Sequence, residues 1–206
     1  LVGATGAGKS SIINLILRFY NIDSGKIFLD RKDITQYNIH SLRSHIALVL
    51  QEVFLFSESI YKNIILDKNM SIDDVREATK AIGLESFIDQ LPGGYNYNVR
   101  ERGIMLSSGQ RQLIAFLRAY ICNPSLIILD EATSSVDTYT ELLIQQAINK
   151  LTQGRTSIII AHRLATIQNS DKILVIDKGR IVESGTHFEL LEQKGYYSKL
   201  FALQFN

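Results

Sequence analysis

The sequence predicts an α/β protein, a mainly parallel sheet around a phosphate-binding loop with a helical insert, and three observations carry that expectation. The run from Gly3 to Ser10 fits the pattern G-x-x-x-x-G-K-[ST]. After Pro124, short aliphatic runs alternate with helical stretches, as strands and crossover helices do around a parallel sheet. Between the two, from Glu52 to Cys122, the pattern is helical.

Each element follows from local signals. Gly3, Gly6 and Gly8 lack a Cβ, so the backbone can turn its N–H groups toward phosphate oxygens, and Lys9 adds a positive charge. A helix is predicted from Lys9 to about Tyr20, its N-terminus aimed at the same anion. Asn21 to Gly25 reads as a turn, Lys26 to Leu29 as a short strand, Arg31 to Asp33 as a tight connection, and His45 to Leu50 as a buried strand ending at Gln51. Within the insert, Ser71 with Asp73 and Asp74 starts a helix to about Ile82, with Gly83 after its end. Leu84 to Gln90 follows, and Pro92, Gly93 and Gly94 break the pattern. Ser107 or Ser108 opens a long helix with Leu113, Leu117, Tyr120 and Ile121 on one face.

Past Pro124 the expected order is a strand at Leu126 to Leu129, a helix from Thr138 to Leu151, and strands at Thr156 to Ala161 and Lys172 to Ile176. Ile173 to Asp177 and Arg180 to Glu183 pair across Lys178-Gly179. A polar helix from His187 to Gln193 and an aromatic-rich tail through Phe205 close the chain. The domain reading is a core of residues 1–51 and 124–206, with residues 52–123 as a helical subdomain. Only Leu1 and Val2 stand ahead of the loop where a strand should deliver the chain, so the sequence is expected to be a fragment of a longer polypeptide.

Composition narrows the function. With 206 residues and 46% hydrophobic content there is material for a sizeable core. A formal net charge of +1 offers no field to steer toward nucleic acid. The single cysteine, Cys122, excludes an internal disulfide framework and a multi-cysteine zinc site. No stretch reaches the ~18 apolar residues of a membrane helix.

Four further sites join the loop. Asp130 and Glu131 end an apolar strand, where an open α/β sheet presents its ligand crevice; Asp130 fits a magnesium-directed carboxylate and Glu131 a base that polarises an attacking water. Ser10 is the hydroxyl expected on magnesium. His162 follows the strand at Ile158 to Ala161 and is placed to meet a γ-phosphate or that water. Gln51 ends its own strand where the insert begins, positioned to sense the metal. In LSSGQRQ, Ser107, Ser108 and Gly109 open a helix whose hydroxyls and amides make a second anion site. One chain with two half-sites suggests a head-to-tail pair.

GATGAGKS, Gln51, LSSGQRQ, LIILDEATSSVD and His162, in this order and across nearly the whole chain, resemble the nucleotide-binding domain of an ABC transporter. YNIDSGKIFLD, IIAHRLATIQNSDKILVIDKGRIVESGTH and GYYSKLFALQ are most similar to exporters whose membrane domain precedes this one. The resemblance implies a RecA-like P-loop NTPase core that binds ATP and Mg2+. It makes Gly3 to Ser10 the Walker A loop, with Gly3, Ala4, Thr5, Gly6, Ala7, Gly8, Lys9, Ser10, Ser11 and Gln51 binding ATP and Ser10, Gln51 and Asp130 directed at magnesium. Lys9, Glu131 and His162 become catalytic, and Ser107, Ser108, Gly109, Gln110 and Asp137 act on a partner's nucleotide.

It further implies that the segment from Val53 to Ile65 receives coupling helices of the membrane domain, and that the domain works on the cytoplasmic side of a membrane. The alternative is the ATP-binding half of a heterodimer with little hydrolysis of its own, or a non-transport ATPase of the same type. Ser108 stands where the signature usually has Gly, which costs a serine roughly 1 kcal/mol or more if the position needs φ > 0. Asn98 and Arg100 stand where exporters usually carry Glu and Gly, Leu50 where they carry Pro, and Arg31 where they carry a turn Gly. The adenine-stacking aromatic residue of the family lies upstream of Leu1.

Overall fold

The computed structural model describes residues 1–130, 136–161 and 164–205. The elements are α1 (Lys9–Ile16), β1 (Phe28–Leu29), β2 (Lys32–Asp33), α2 (Ile39–Ser44), β3 (Ile46–Val49), α3 (Ile60–Ile65), α4 (Ile72–Ala81), α5 (Glu85–Asp89) and α6 (Ser108–Ile121). They continue with β4 (Leu126–Asp130), α7 (Thr138–Thr152), β5 (Thr156–Ile160), α8 (Leu164–Gln168), β6 (Ile173–Asp177), β7 (Arg180–Gly185), α9 (His187–Glu192) and α10 (Tyr196–Phe205). β3, β4 and β5 form one sheet in that order, joined by helical crossovers, the connection that parallel neighbours require. The chain forms two compact units, one holding Leu1–Arg43, the end of β4 and the chain from Ile158 onward, the other holding Ser44–Ile128 and α7.

In the first unit, Val2 bridges Val175 in parallel: its N–H donates to Leu174 O (3.0 Å) and its carbonyl accepts from Ile176 N (2.8 Å). Ala161 N donates to Leu1 O (3.2 Å), so the first two residues lie in the sheet between the end of β5 and β6. β6 and β7 pair antiparallel across Lys178 and Gly179, both at positive φ as a tight hairpin turn demands. Beneath them Val2, Ala161, Ile167, Ile173, Val175, Leu190 and Tyr197 form one apolar cluster.

Several expectations are corrected here. The first helix stops at Ile16 rather than Tyr20, because the chain turns at Arg18 (φ 52). Arg43 takes up the last carbonyls, its Nε donating to Leu17 O and its Nη2 to Arg18 O, each at 3.0 Å. Residues 31–33 are no mere connection: Asp30 and Arg31, at φ 49 and 66, make a two-residue hairpin turn and Lys32–Asp33 pairs back on β1. α2, α3 and α8 were not anticipated, being of five or six residues and too short to show a period. The aromatic tail is itself helical as α10. α9 is not polar throughout, for His187 is 3% exposed.

His187 Nδ1 and the Tyr197 hydroxyl share a hydrogen bond of 2.7 Å, and this pair ties α9 to α10. Burial pushes the Tyr197 hydroxyl up to about 12 from 10.0. A folded-state pKa above the unfolded one means the stabilisation is complete below pH 10 and is lost as pH rises toward 12. Tyr197→Phe is therefore expected to make the alkaline decline of stability shallower between those values while costing about 1 kcal/mol at neutral pH. Urea unfolding across pH checks this; an alkaline decline as steep as before contradicts it.

In the second unit α6 is the central element. Leu113, Ile114, Phe116 and Leu117 are fully buried, a wider face than the expected stripe, because α3, α4, α7 and β3 all pack on it. Ser71 caps α4 in a reciprocal box with Asp74, as its spacing predicts. Val99, fully buried, donates its N–H to Glu58 O (3.1 Å) and fixes the chain beside α3. Arg100, immediately after, sits at φ 61, ψ −172, a conformation close to glycine-only. Arg100→Gly is expected to stabilise the chain by about 1 kcal/mol or more, read as a raised urea midpoint; a lowered midpoint contradicts the assignment of strain.

Candidate functional site: the phosphate loop and the head of α6

The loop is built by close approaches within the first unit. A Cβ on Gly3 would stand 2.2 Å from Ile176 O, so only glycine lets the chain leave the sheet there. Gly6 and Gly8 carry φ 78 and 106, and Gly8 is the N-cap of α1. Ala7 N donates back to Ala4 O (3.1 Å), and Gly179 N donates to Ala7 O (2.8 Å), so the β6–β7 turn braces the loop. Ala4, Thr5, Gly6, Ser10 and Ser11 are exposed on its rim, while Ala7 is buried.

Lys9 is 8% exposed, and its ammonium donates to Gly3 O (2.7 Å) and Ala4 O (3.0 Å). Burial holds it below the usual lysine range, and the Asp130 carboxylate at the end of β4 acts to raise it again. A desolvated cation on its own loop's carbonyls, above helix amides that have no intrahelical acceptor, is arranged for an anion with several oxygens. Ser10 and Asp130 offer hard oxygen donors, which fit magnesium. Among the described residues there is no group of three or more His, Cys, Asp or Glu that could hold a metal ion.

Glu131 and His162 lie outside the described residues. Gln51 is exposed directly after β3, in the second unit.

At the head of α6, Ser107 is the N-cap. Its hydroxyl accepts from Gln110 N (3.2 Å) and its N–H donates to Gln110 Oε1 (3.0 Å), a reciprocal capping box. Ser108 is the first residue of α6 with no left-handed φ, so the feared backbone cost of serine does not arise. The glycine that matters is Gly109: a Cβ there would stand 2.6 Å from Thr140 Cγ2 and 2.8 Å from Val136 Cγ1. Asp137 caps α7 through Thr140 N (2.9 Å), and that bond holds its carboxyl below the usual range.

The sequence gives no signal for the pairing of buried Asn63 with half-buried Arg118. A cavity of about 400 Å³ lined by Leu50, Val53, Phe54, Phe56, Leu66 and Cys122 also went unpredicted. The alternation Phe54-Leu55-Phe56, apolar without a helical period, was the available signal.

A glycine loop leading a sheet strand into a helix, with a buried lysine turned into it, defines a P-loop nucleotide-binding protein. The family model described as ABC transporter matches residues 1–134. Putative ABC transporter ATP-binding protein exp8 of Streptococcus pneumoniae is 50% identical over 98% of this chain and 35% of its own length. The ATP-dependent lipid A-core flippase of Pseudomonas aeruginosa is 47% identical over 98% of this chain and 34% of its own. A solved structure of a bacterial Atm1-family ABC exporter with ATP bound superposes with TM-score 0.90 at 41% identity, over 100% of this chain and 36% of that one. The chain belongs to the ABC transporter family, as an ATP-binding domain, and spans about a third of the length of these relatives.

Removing the loop's cation tests the site. Lys9→Met is expected to weaken ATP binding roughly 10- to 100-fold, since hydrogen bonds to a charged group contribute about 1.5–3 kcal/mol. Titration with a fluorescent ATP analogue measures it, and an unchanged dissociation constant contradicts the geometry.

Proposed function

We propose that this chain is the ATP-hydrolysing motor of an exporter, on the cytoplasmic side of a membrane, and that two such domains, alike or different, close head to tail on ATP. The observation that carries the reading is the buried Lys9 ammonium turned onto the loop, with the Asp130 carboxylate acting on it. The relatives' names, multidrug export in one Bacillus subtilis protein and lipid A-core flippase in others, supply the direction of transport.

In this reading the core of residues 1–51 and 124–206 binds the nucleotide and residues 52–123 form the subdomain that answers to the membrane part. The loop amides and Lys9 hold the β- and γ-phosphates. Ser10, Asp130 and Gln51 would hold magnesium, which neutralises charge on the phosphate oxygens. Glu131 takes the proton of the attacking water and His162 meets the γ-phosphate. The partner's nucleotide is closed over by Ser107, Ser108, Gly109 and Gln110, with Asp137 beside them. The Ser107 hydroxyl accepts one bond within its capping box and keeps its proton to donate.

The groove at Phe54 and Phe56, 57% and 53% exposed, is the face for the coupling helices, as apolar side chains left open at a cavity suit an amphipathic partner. Among the described residues no helix is long and apolar enough to cross a membrane.

ATP turnover per chain is expected to rise with protein concentration and to fall at least about 100-fold in Glu131→Gln, the lower bound for losing a general base. The same variant is expected to sediment as a dimer with ATP and magnesium. Turnover that is independent of concentration, or retained in Glu131→Gln, contradicts the paired motor.

A further inference from the structure

Asn63 is fully buried on α3, and its side-chain amide reaches back to the turn ahead of that helix. Its Oδ1 accepts from Phe56 N (2.8 Å), and its Nδ2 donates to Phe56 O (3.0 Å) and Ser59 O (3.1 Å). Arg118, in the last turn of α6, grips the same turn from the other side. Its Nη1 donates to Phe54 O (2.9 Å), its Nη2 to Asn63 Oδ1 (3.0 Å) and its Nε to Asn63 O. Between these bonds stand Phe54 and Phe56, edge to face at 5.1 Å and open to the groove. Arg118 itself lines that groove.

A planar fork with three backbone or amide acceptors fixes direction as well as distance, which a lysine cannot do. α6 is a continuous helix of 14 residues whose N-cap is Ser107, so its two ends move as one body.

We propose that Arg118 is a positioning residue that, with Asn63, converts displacement of the Phe54–Phe56 wall into movement of Ser107–Gln110 at the head of α6. The inference rests on the reading above, in which the groove receives the membrane part and the head of α6 meets a partner's nucleotide. Neither residue touches nucleotide; both act through α6.

The test uses the membrane polypeptide that carries this chain, in lipid vesicles, with Arg118→Lys, which keeps charge and loses the fork. Its KM for ATP is expected to stay within about twofold while kcat falls about tenfold, within the range for removing one coupling contact. Amide exchange at residues 53–57 is expected to remain slower in the polypeptide than in this chain alone, showing the groove still covered, while ATP no longer slows exchange at residues 107–112. A retained kcat with the groove covered overturns the link. So does a joint change in KM, kcat and melting temperature, which marks a merely structural role. Equal exchange at residues 53–57 in polypeptide and chain overturns the docking reading, and the link with it.

Discussion

Gly3 passes so near Ile176 O that no side chain fits between, and the phosphate loop depends on that approach. Val2 must pair in the sheet beside β6 for the backbone to arrive there, and Gly179 must donate to Ala7 O for the loop to stay in place. With those contacts made, α1 begins at Lys9 and its amides face the anion. Lys9 is then largely buried, and its ammonium binds the carbonyls of Gly3 and Ala4. The loop's geometry is thus set by backbone packing, and its affinity by a cation that the same packing has desolvated.

The second unit applies the same economy at the head of α6. Ser107 and Gln110 satisfy each other in a capping box, which stabilises the helix and at the same time fixes the hydroxyl's position. Gly109 admits the start of α7 at van der Waals distance, so the glycine of this motif serves packing within the chain before any partner arrives.

Legibility in the sequence followed the physics of each element. The loop, the capped helices α4, α6 and α7, and the strands β3 to β6 were readable, because a glycine pattern, a Ser, Thr or Asp cap and an aliphatic run are local signals. α2, α3 and α8 were not, since five or six residues do not establish a period. The end of α1 was misjudged because Arg43, 25 residues away from Arg18, takes up its carbonyl. The burial of His187 and the clamp of Asn63 by Arg118 are likewise tertiary. The candidate site residues were named by motif; that Lys9 turns back onto Gly3 and Ala4, and that Ser108 is ordinary helix, required coordinates.

The central claim is that the amides from Gly6 to Ile12 are the seat of ATP phosphates. The most direct measurement is hydrogen exchange of those amides with and without ATP and magnesium. Marked slowing confined to this loop and the first turn of α1, absent in Lys9→Met, is the result the account predicts. Exchange at the loop that is indifferent to ATP, while ATP slows exchange elsewhere in the chain, would contradict it.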